Sequence, residues 1–413
     1  MKQDRQTGGI APRPLEGIRI VEVGVWHAGP GASAILGDLG AEIIKIESLS
    51  GDPERYFGTF GALPPIEADI PNWTLLFEIT NRNKKGICLD IDTEAGQAIL
   101  HALVKEADIF VTNLRQSTKP KIGIDYASLA KVNPKLIYAN VSGFGPVGPM
   151  SDVGGFDPLG QAISGMSFMT GAEEPTLLQT IILDQLTAIA ASHAILTALV
   201  TRERQGIGQE VQVSLYGTAT WLLHANLLCS SLLKQTAQVR WDRSRNPPLR
   251  NMFKCQDGKW IMGANHPEHK YWPTFCEAVG EKELAVDPRF ATPELRKANM
   301  PELIARLDGL FAKKPQKEWL EILLAAGLLF APIQQLADVV DDPQALTNGY
   351  MVDFEHRALG KIRVPGYPIR FSAHEVGTHG PAPELGEHTD SVLAALGYTE
   401  RDIGRLRDEK VIR

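Results

Sequence analysis

Along the first 150 residues the apolar positions fall into two rhythms. Runs of strand length occur at 18–25, 42–47, 87–91, 109–112 and 136–141, while 93–106 spaces its apolar residues three and four apart, as on one face of a helix. A shorter helix is expected between the loop Trp26-His27-Ala28-Gly29-Pro30-Gly31 and Leu39. Strands alternating with helices predict βαβ units. The fold class is therefore α/β, a Rossmann-like doubly wound parallel sheet that offers ligands the carboxyl ends of its strands.

The pattern loosens at Gly154-Gly155 and then tightens into a mostly apolar helix over 186–204, which Gly206 and Gly208 stop. Residues 209–216 alternate, with Val211, Val213 and Leu215 against Gln212 and Ser214, and predict a half-buried strand. A second long helix is expected over 218–233, and arginine-rich chain about Asn246-Pro247-Pro248 suggests a linker or long loop over 234–250. A hairpin at 253–262 and helices at 269–279, 301–312 and 316–325 follow. The expected organisation is a large domain from 1–224 and 331–413 and a smaller α+β domain at 225–330. The charged tail, 401–413, reads as solvated.

Composition narrows the function. With 413 residues, 44% hydrophobic and 22% charged, the chain has the make-up of a globular protein of two domains. A net charge of −7 and a pI near 5.9 disfavour nucleic acid as a partner, so an anionic ligand would need local cations. The four cysteines form no C-x-x-C pair, and the longest run free of polar side chains, 322–333, is too short for a bilayer. The expectation is a cytoplasmic protein with neither a metal site nor a membrane partner.

Motifs exclude more than they assign. The first loop offers Gly24-x4-Gly29-x-Gly31 in place of G-x-G-x-x-G, although Glu47 stands where a ribose-binding acid would be. There is no H-E-x-x-H, G-x-S-x-G or Walker loop. The most informative stretch, Leu177-Leu178-Gln179-Thr180-Ile181-Ile182-Leu183-Asp184-Gln185-Leu186-Thr187-Ala188, sets one carboxylate between apolar flanks at an expected helix start. Asp184 reads either as the N-cap of a helix beginning at Gln185 or as a covalent nucleophile kept ionised by helix-end N–H groups. The two are compatible, because a capping carboxylate keeps one oxygen free.

Five segments, in order, resemble the class III CoA-transferases, the family of formyl-CoA transferase and carnitine CoA-transferase: Pro14-Leu15-Glu16-Gly17-Ile18-Arg19-Ile20 leading to Ala28-Gly29-Pro30; Leu39-Gly40-Ala41-Glu42-Ile43-Ile44-Lys45-Ile46-Glu47 with Gly51-Asp52; Asn81-Arg82-Asn83-Lys84-Lys85; Val141-Ser142-Gly143-Phe144-Gly145; and Asp287-Pro288-Arg289-Phe290-Ala291-Thr292. The resemblance spans 14–372. It puts the family's nucleophilic aspartate on Asp184 and implies CoA exchange between an acyl-CoA donor and a carboxylic acid, through mixed anhydrides and an aspartyl-CoA thioester. No permanent cofactor is implied, the CoA thioester being a substrate. Each step would pass through an oxyanion, for which N–H groups near the helix start are expected donors.

By the same resemblance Asn113, Leu114, Arg115 and Lys121 lie where the CoA nucleotide is held, His27 and Ala28 line the thiol end, and Phe144 and Gly145 are near. It further implies a dimer of interlocked rings, a heterodimer with a homologue being the alternative to a homodimer. Ser48 and Leu49 stand where several members carry a binding arginine, and the glycine-rich loop of formyl-CoA transferase has no counterpart in 240–251. That segment instead holds Arg240, Trp241, Arg243, Arg245 and Arg250, either a solvated linker or a recognition element for a larger acid. Two rival readings are an acyl-CoA racemase of the same superfamily, whose histidine is replaced here by Phe156, and a non-catalytic CoA-binding subunit.

Overall fold

The computed structural model describes residues 12–57, 71–236 and 242–413. The chain divides into two compact units, one formed by 1–170, 174–238 and 348–413, the other by 171–173 and 239–347. Relative to the expected 225–330, residues 225–238 thus go with the first unit and 331–347 with the second.

The first unit is built on six parallel strands, β1 (Arg19–Val23), β2 (Glu42–Glu47), β3 (Lys84–Cys88), β4 (Ile109–Thr112), β5 (Ile137–Ser142) and β6 (Gln209–Ser214), in the order β3-β2-β1-β4-β5-β6. The order reverses between β1 and β4, so their carboxyl ends form the crevice where open α/β sheets hold ligands. Between the strands run α1 (Ala28–Asp38), α2 (Leu75–Asn81), α3 (Glu94–Lys105), α4 (Tyr126–Val132), α5 (Asp157–Ser164) and α6 (Ile182–Gln205), and after β6 come α7 (Leu215–Leu222) and α8 (His224–Leu233). Where one helix was expected over 218–233 there are two, broken at Leu223.

Strand alternation assigns the two faces. Val21, Val23, Ile44, Ile46 and Phe110 point to one side with Ile99, Leu100, Leu103 and Val104 of α3, whereas Ile20, Ile43, Ile109 and Val111 point to the other with Leu36 of α1 and Ile195, Ala198 and Leu199 of α6. Helix α6 is long and apolar enough to cross a membrane by length and composition, yet Ile195 and Ala198 are buried in this core and Leu183, Ala188 and Ala191 in an adjoining cluster.

The second unit has the antiparallel sheet β7 (Met252–Lys254), β8 (Trp260–Gly263) and β9 (Phe330–Ile333) with α9 (Glu268–Ala278), α10 (Pro293–Ala298), α11 (Met300–Phe311), α12 (Gln316–Ala325), α13 (Leu336–Val340) and α14 (Pro343–Asn348). Its core stacks Phe253 on Phe311 at 4.5 Å and buries Trp272, Phe275 and Trp319. The chain closes with the hairpin β10 (Met351–His356) and β11 (Gly360–Pro365), then α15 (Thr389–Ala395) and α16 (Glu400–Asp408). The tail is therefore solvated on one side only. Ile403, Leu406, Val411 and Ile412 are buried in the first unit's core, and Asp90 N donates to Val411 O at 2.8 Å. Its charges lie on the outer side of an amphipathic helix, which a charge count alone does not reveal.

Candidate active site

The backbone at Ile181, before α6, supplies no side-chain cap, so the first N–H groups of the helix need acceptors from elsewhere. Asp157, at the start of α5 and 1% exposed, provides one: its Oδ2 accepts from Leu183 N at 2.6 Å and Asp184 N at 3.1 Å, while its Oδ1 accepts from Gln161 Nε2 at 2.6 Å. The expected helix start at Gln185 is corrected to Ile182, and Asp184 is a first-turn residue rather than the cap. Because Gln185 N also donates to Ile181 O at 3.1 Å, the N–H groups of 183–185 are occupied and are not the open oxyanion donors expected from sequence. The first turn of α1 is open instead, since Ala28 N meets no acceptor among the described residues.

With its cap duty taken by Asp157, the Asp184 carboxylate accepts no hydrogen bond among the described residues. Burial raises its pKa; a charged His27 opposes this, and the carboxylates of Asp157 and Glu54 add to it, leaving Asp184 at about 7. His27, 4% exposed, is held between Glu54 Oε1, 3.4 Å from Nδ1, and the amide of Gln185, whose Nε2 is 2.9 Å from His27 Nε2.

Behind His27 lies a buried ion network. Glu22 of β1 faces Lys45 of β2 in register, and its two oxygens bind Lys45 Nζ at 2.9 Å and Lys84 Nζ at 2.7 Å. Burial alone would raise the Glu22 pKa, but the two ammonium groups pull it down to about 2. Lys45 also binds Asp52 at 2.9 Å, and Asp52 Oδ1 in turn accepts from Trp26 N at 3.1 Å and Glu54 N at 3.0 Å. Glu47, which stands where a dinucleotide-binding fold would place a ribose-binding acid, is held by Arg55 through bonds of 2.7 and 2.8 Å. These pairs fix the loops at 24–28 and 51–55 to each other, which is where buried ion pairs contribute geometry more than stability.

A cavity of about 370 Å³ opens at the crevice. His27, Ala28, Asn113, Leu114, Arg115, Gly145 and Asp184 line it, so seven of the nine residues singled out from sequence come together; Phe144 and the exposed Lys121 lie outside the lining. Asn113 ties the two strand ends, its Oδ1 accepting from Val25 N at 3.0 Å and its Nδ2 donating to Val25 O at 2.6 Å. The second cation in the wall is Lys119, not Lys121; it is buried and donates to Asn140 Oδ1 at 2.9 Å. Sequence reading missed Asp157 and Lys119. Asp157-Pro158 did carry a helix-start signal, whereas Lys119 looked like any loop lysine.

Two glycines bring the cap to its place. A Cβ on Gly155 would meet Gly143 Cα at 2.3 Å, and one on Gly143 would meet Gly155 Cα at 2.6 Å. Gly155→Ala is expected to push 155–157 off β5, lowering stability by about 1–3 kcal/mol and turnover with it; thermal unfolding and steady-state kinetics check this. In the second unit Arg243 is committed to Asp308, at 2.5 Å, and to Met252 O, at 3.0 Å, and Arg245 pairs with Asp242 at 3.3 Å. Arg243 is thus structural rather than free to recognise an acid. Arg240 and Trp241 lie outside the described residues.

The profile of CoA-transferase family III matches residues 15–389. The chain belongs to that family. It is 32% identical over 402 residues to (R)-2-hydroxy-4-methylpentanoate CoA-transferase of Clostridioides difficile, with 97% of this chain and 99% of that protein covered. It is 33% identical over 405 residues to succinyl-CoA:glutarate CoA-transferase of Mus musculus, with 97% and 90% covered. A crystal structure of a CAIB/BAIF family protein from Brucella suis superposes with a TM-score of 0.83 at 30% identity, over 94% of this chain and 100% of that one. This family III member is accordingly an enzyme, a CoA-transferase, with CoA thioesters as substrates.

Proposed function

We propose that the enzyme moves CoA from a donor acyl-CoA to an acceptor carboxylate by covalent catalysis on Asp184. The observation that carries this is a carboxylate with no hydrogen bond among the described residues, in the wall of a cavity that also holds Arg115 and Lys119. Asp184 attacks the donor carbonyl, the C–S bond breaks, and a mixed anhydride and CoA thiolate result. The thiolate attacks the aspartyl carbonyl, which releases the donor acid and leaves an aspartyl-CoA thioester. The acceptor carboxylate attacks that thioester, and the thiolate then attacks the acceptor acyl carbon, freeing Asp184. Every step conserves an activated acyl group, so no ATP is consumed.

Arg115 and Lys119 are the phosphate-binding candidates of the wall, and Ala28 N the oxyanion donor. Phe156 supplies hydrocarbon where α-proton exchange would need a base, which supports transfer over racemisation. A cytoplasmic homodimer of interlocked chains belongs to the proposal: α8 has no buried residue and exposes Leu228, Leu232 and Leu233, surface that a partner chain would cover. Analytical ultracentrifugation tests the dimer.

The test of the mechanism is intact mass after incubation with an acyl-CoA and trapping with hydroxylamine. A modification mapped to Asp184 supports it; the same modification in Asp184→Ala would remove Asp184 from it. The pH profile follows from the raised pKa. The ionised fraction of Asp184 grows as pH rises through about 7, so donor kcat/KM should fall about tenfold per unit below that pH and level off above it. A flat profile between pH 5.5 and 8 would contradict the assignment.

A further inference from the structure

We infer that the acid activated at this site is an aromatic monocarboxylate whose ring lies against Trp26 and Phe156. The inference rests on the transferase reading above and adds the substrate class to it. Both side chains line the cavity that holds Asp184. Each also immediately precedes a residue tied to the first turn of α6: Trp26 precedes His27, which meets Gln185, and Phe156 precedes Asp157, which binds Leu183 N and Asp184 N. The rings are thereby held at a short, fixed offset from the nucleophile.

Trp26 is the centre of an aromatic wall. Its ring meets Phe57 edge-on at 5.3 Å and Phe156 edge-on at 5.5 Å, both at 84°. Phe156, which lines the cavity, remains 42% exposed, so the wall keeps ring surface open there. A further ring set beside Trp26 or Phe156 would extend the edge-to-face arrangement, an interaction that an alkyl chain of equal size does not gain.

Trp26 also adopts φ +62°, the left-handed region that a bulky side chain enters at a cost. Its N–H donates to Asp52 Oδ1 at 3.1 Å, and Asp52 is pinned by Lys45 at 2.9 Å. The buried ion network therefore holds the indole in a conformation the chain would otherwise avoid, as expected where orientation serves binding.

Charge argues the same way. Among the described residues the lysine and arginine side chains in the cavity wall are Arg115 and Lys119. Lys119 is bonded to Asn140, and the Arg115 guanidinium lies along Gly154, where a Cβ would sit 3.2 Å from its Nη2. Both are assigned to the CoA phosphates. A second substrate carboxylate would have to compete for them, and elsewhere in the wall it would face the carboxylates of Asp184 and Asp152. A ring meets no such penalty.

The experiment gives the protein 3-phenylpropionyl-CoA, 3-cyclohexylpropionyl-CoA, propionyl-CoA or glutaryl-CoA singly, and follows the hydroxylamine-trapped adduct on Asp184 by intact mass. The phenyl donor is expected to react about tenfold faster than propionyl-CoA and glutaryl-CoA, and several-fold faster than the cyclohexyl donor. In Phe156→Leu, which keeps apolar bulk, and in Trp26→Ala, the ratio of phenylpropionyl to propionyl rates is expected to fall several-fold. A glutaryl rate equal to or above the phenylpropionyl rate, or an unchanged ratio in both variants, would overturn the inference while leaving the transferase intact. Adducts that persist in Asp184→Ala would instead overturn the covalent reading beneath it.

Discussion

Asp184→Asn is expected to lower CoA transfer by at least about 10⁴-fold, the scale seen when a covalent nucleophile is removed from a preorganised site. The amide keeps the volume and the apolar surroundings, so the loss would fall on kcat, with acyl-CoA binding retained through Arg115 and Lys119. Stability should move the other way. The folded state raises the Asp184 pKa from 3.8 to about 7, which means ionisation is disfavoured in the folded protein. The stability associated with the protonated form is present below about pH 3.8 and is lost as pH rises through about 7. Asparagine cannot ionise, so the variant should melt higher than the parent at pH 8, by on the order of 2 °C, and the gain should shrink toward pH 5. Calorimetry at the two pH values, paired with a transfer assay, measures both effects. Unchanged turnover would end the assignment of Asp184.

Asp157→Ala is the second large effect. One buried oxygen, Oδ2, serves Leu183 N and Asp184 N together. Removing it leaves two donors at the start of α6 without an acceptor, at about 1 kcal/mol for a lost cap and up to about 3 kcal/mol for each donor that stays buried. The helix would relieve this by fraying its first turn, which is where Asp184 sits. A displacement of about 1 Å at a reacting group can cost about 10²-fold in rate, so kcat should drop at least that much while KM for the acyl-CoA changes little. Asp157→Asn tells positioning from charge. Its Oδ1 can still accept from the helix, and it removes a negative charge that raises the Asp184 pKa. That variant should keep most of its activity, with the acidic limb of the pH profile moved to lower pH.

The sequence by itself determined the sheet and the neighbourhood of Asp184. Strand runs such as Ile43-Ile44-Lys45-Ile46 and the helical spacing of 93–106 are local patterns, and burial of both sheet faces makes them readable. Family motifs brought His27, Ala28, Asn113, Arg115 and Asp184 to one cavity. A lysine inside that apolar β2 run signalled a buried charge, but nothing in its neighbours named Glu22 and Asp52 as partners. Only the tertiary structure decided that Asp157, 27 residues away, caps α6 and frees the Asp184 carboxylate, that Lys119 rather than Lys121 enters the cavity wall, and that the charged tail folds back on the core. The physical reason is common to all three. Helix and strand periodicity is set by backbone geometry over a few residues, whereas the partner of a cap, a buried cation or an amphipathic face is chosen by which distant groups packing brings within hydrogen-bonding or van der Waals reach.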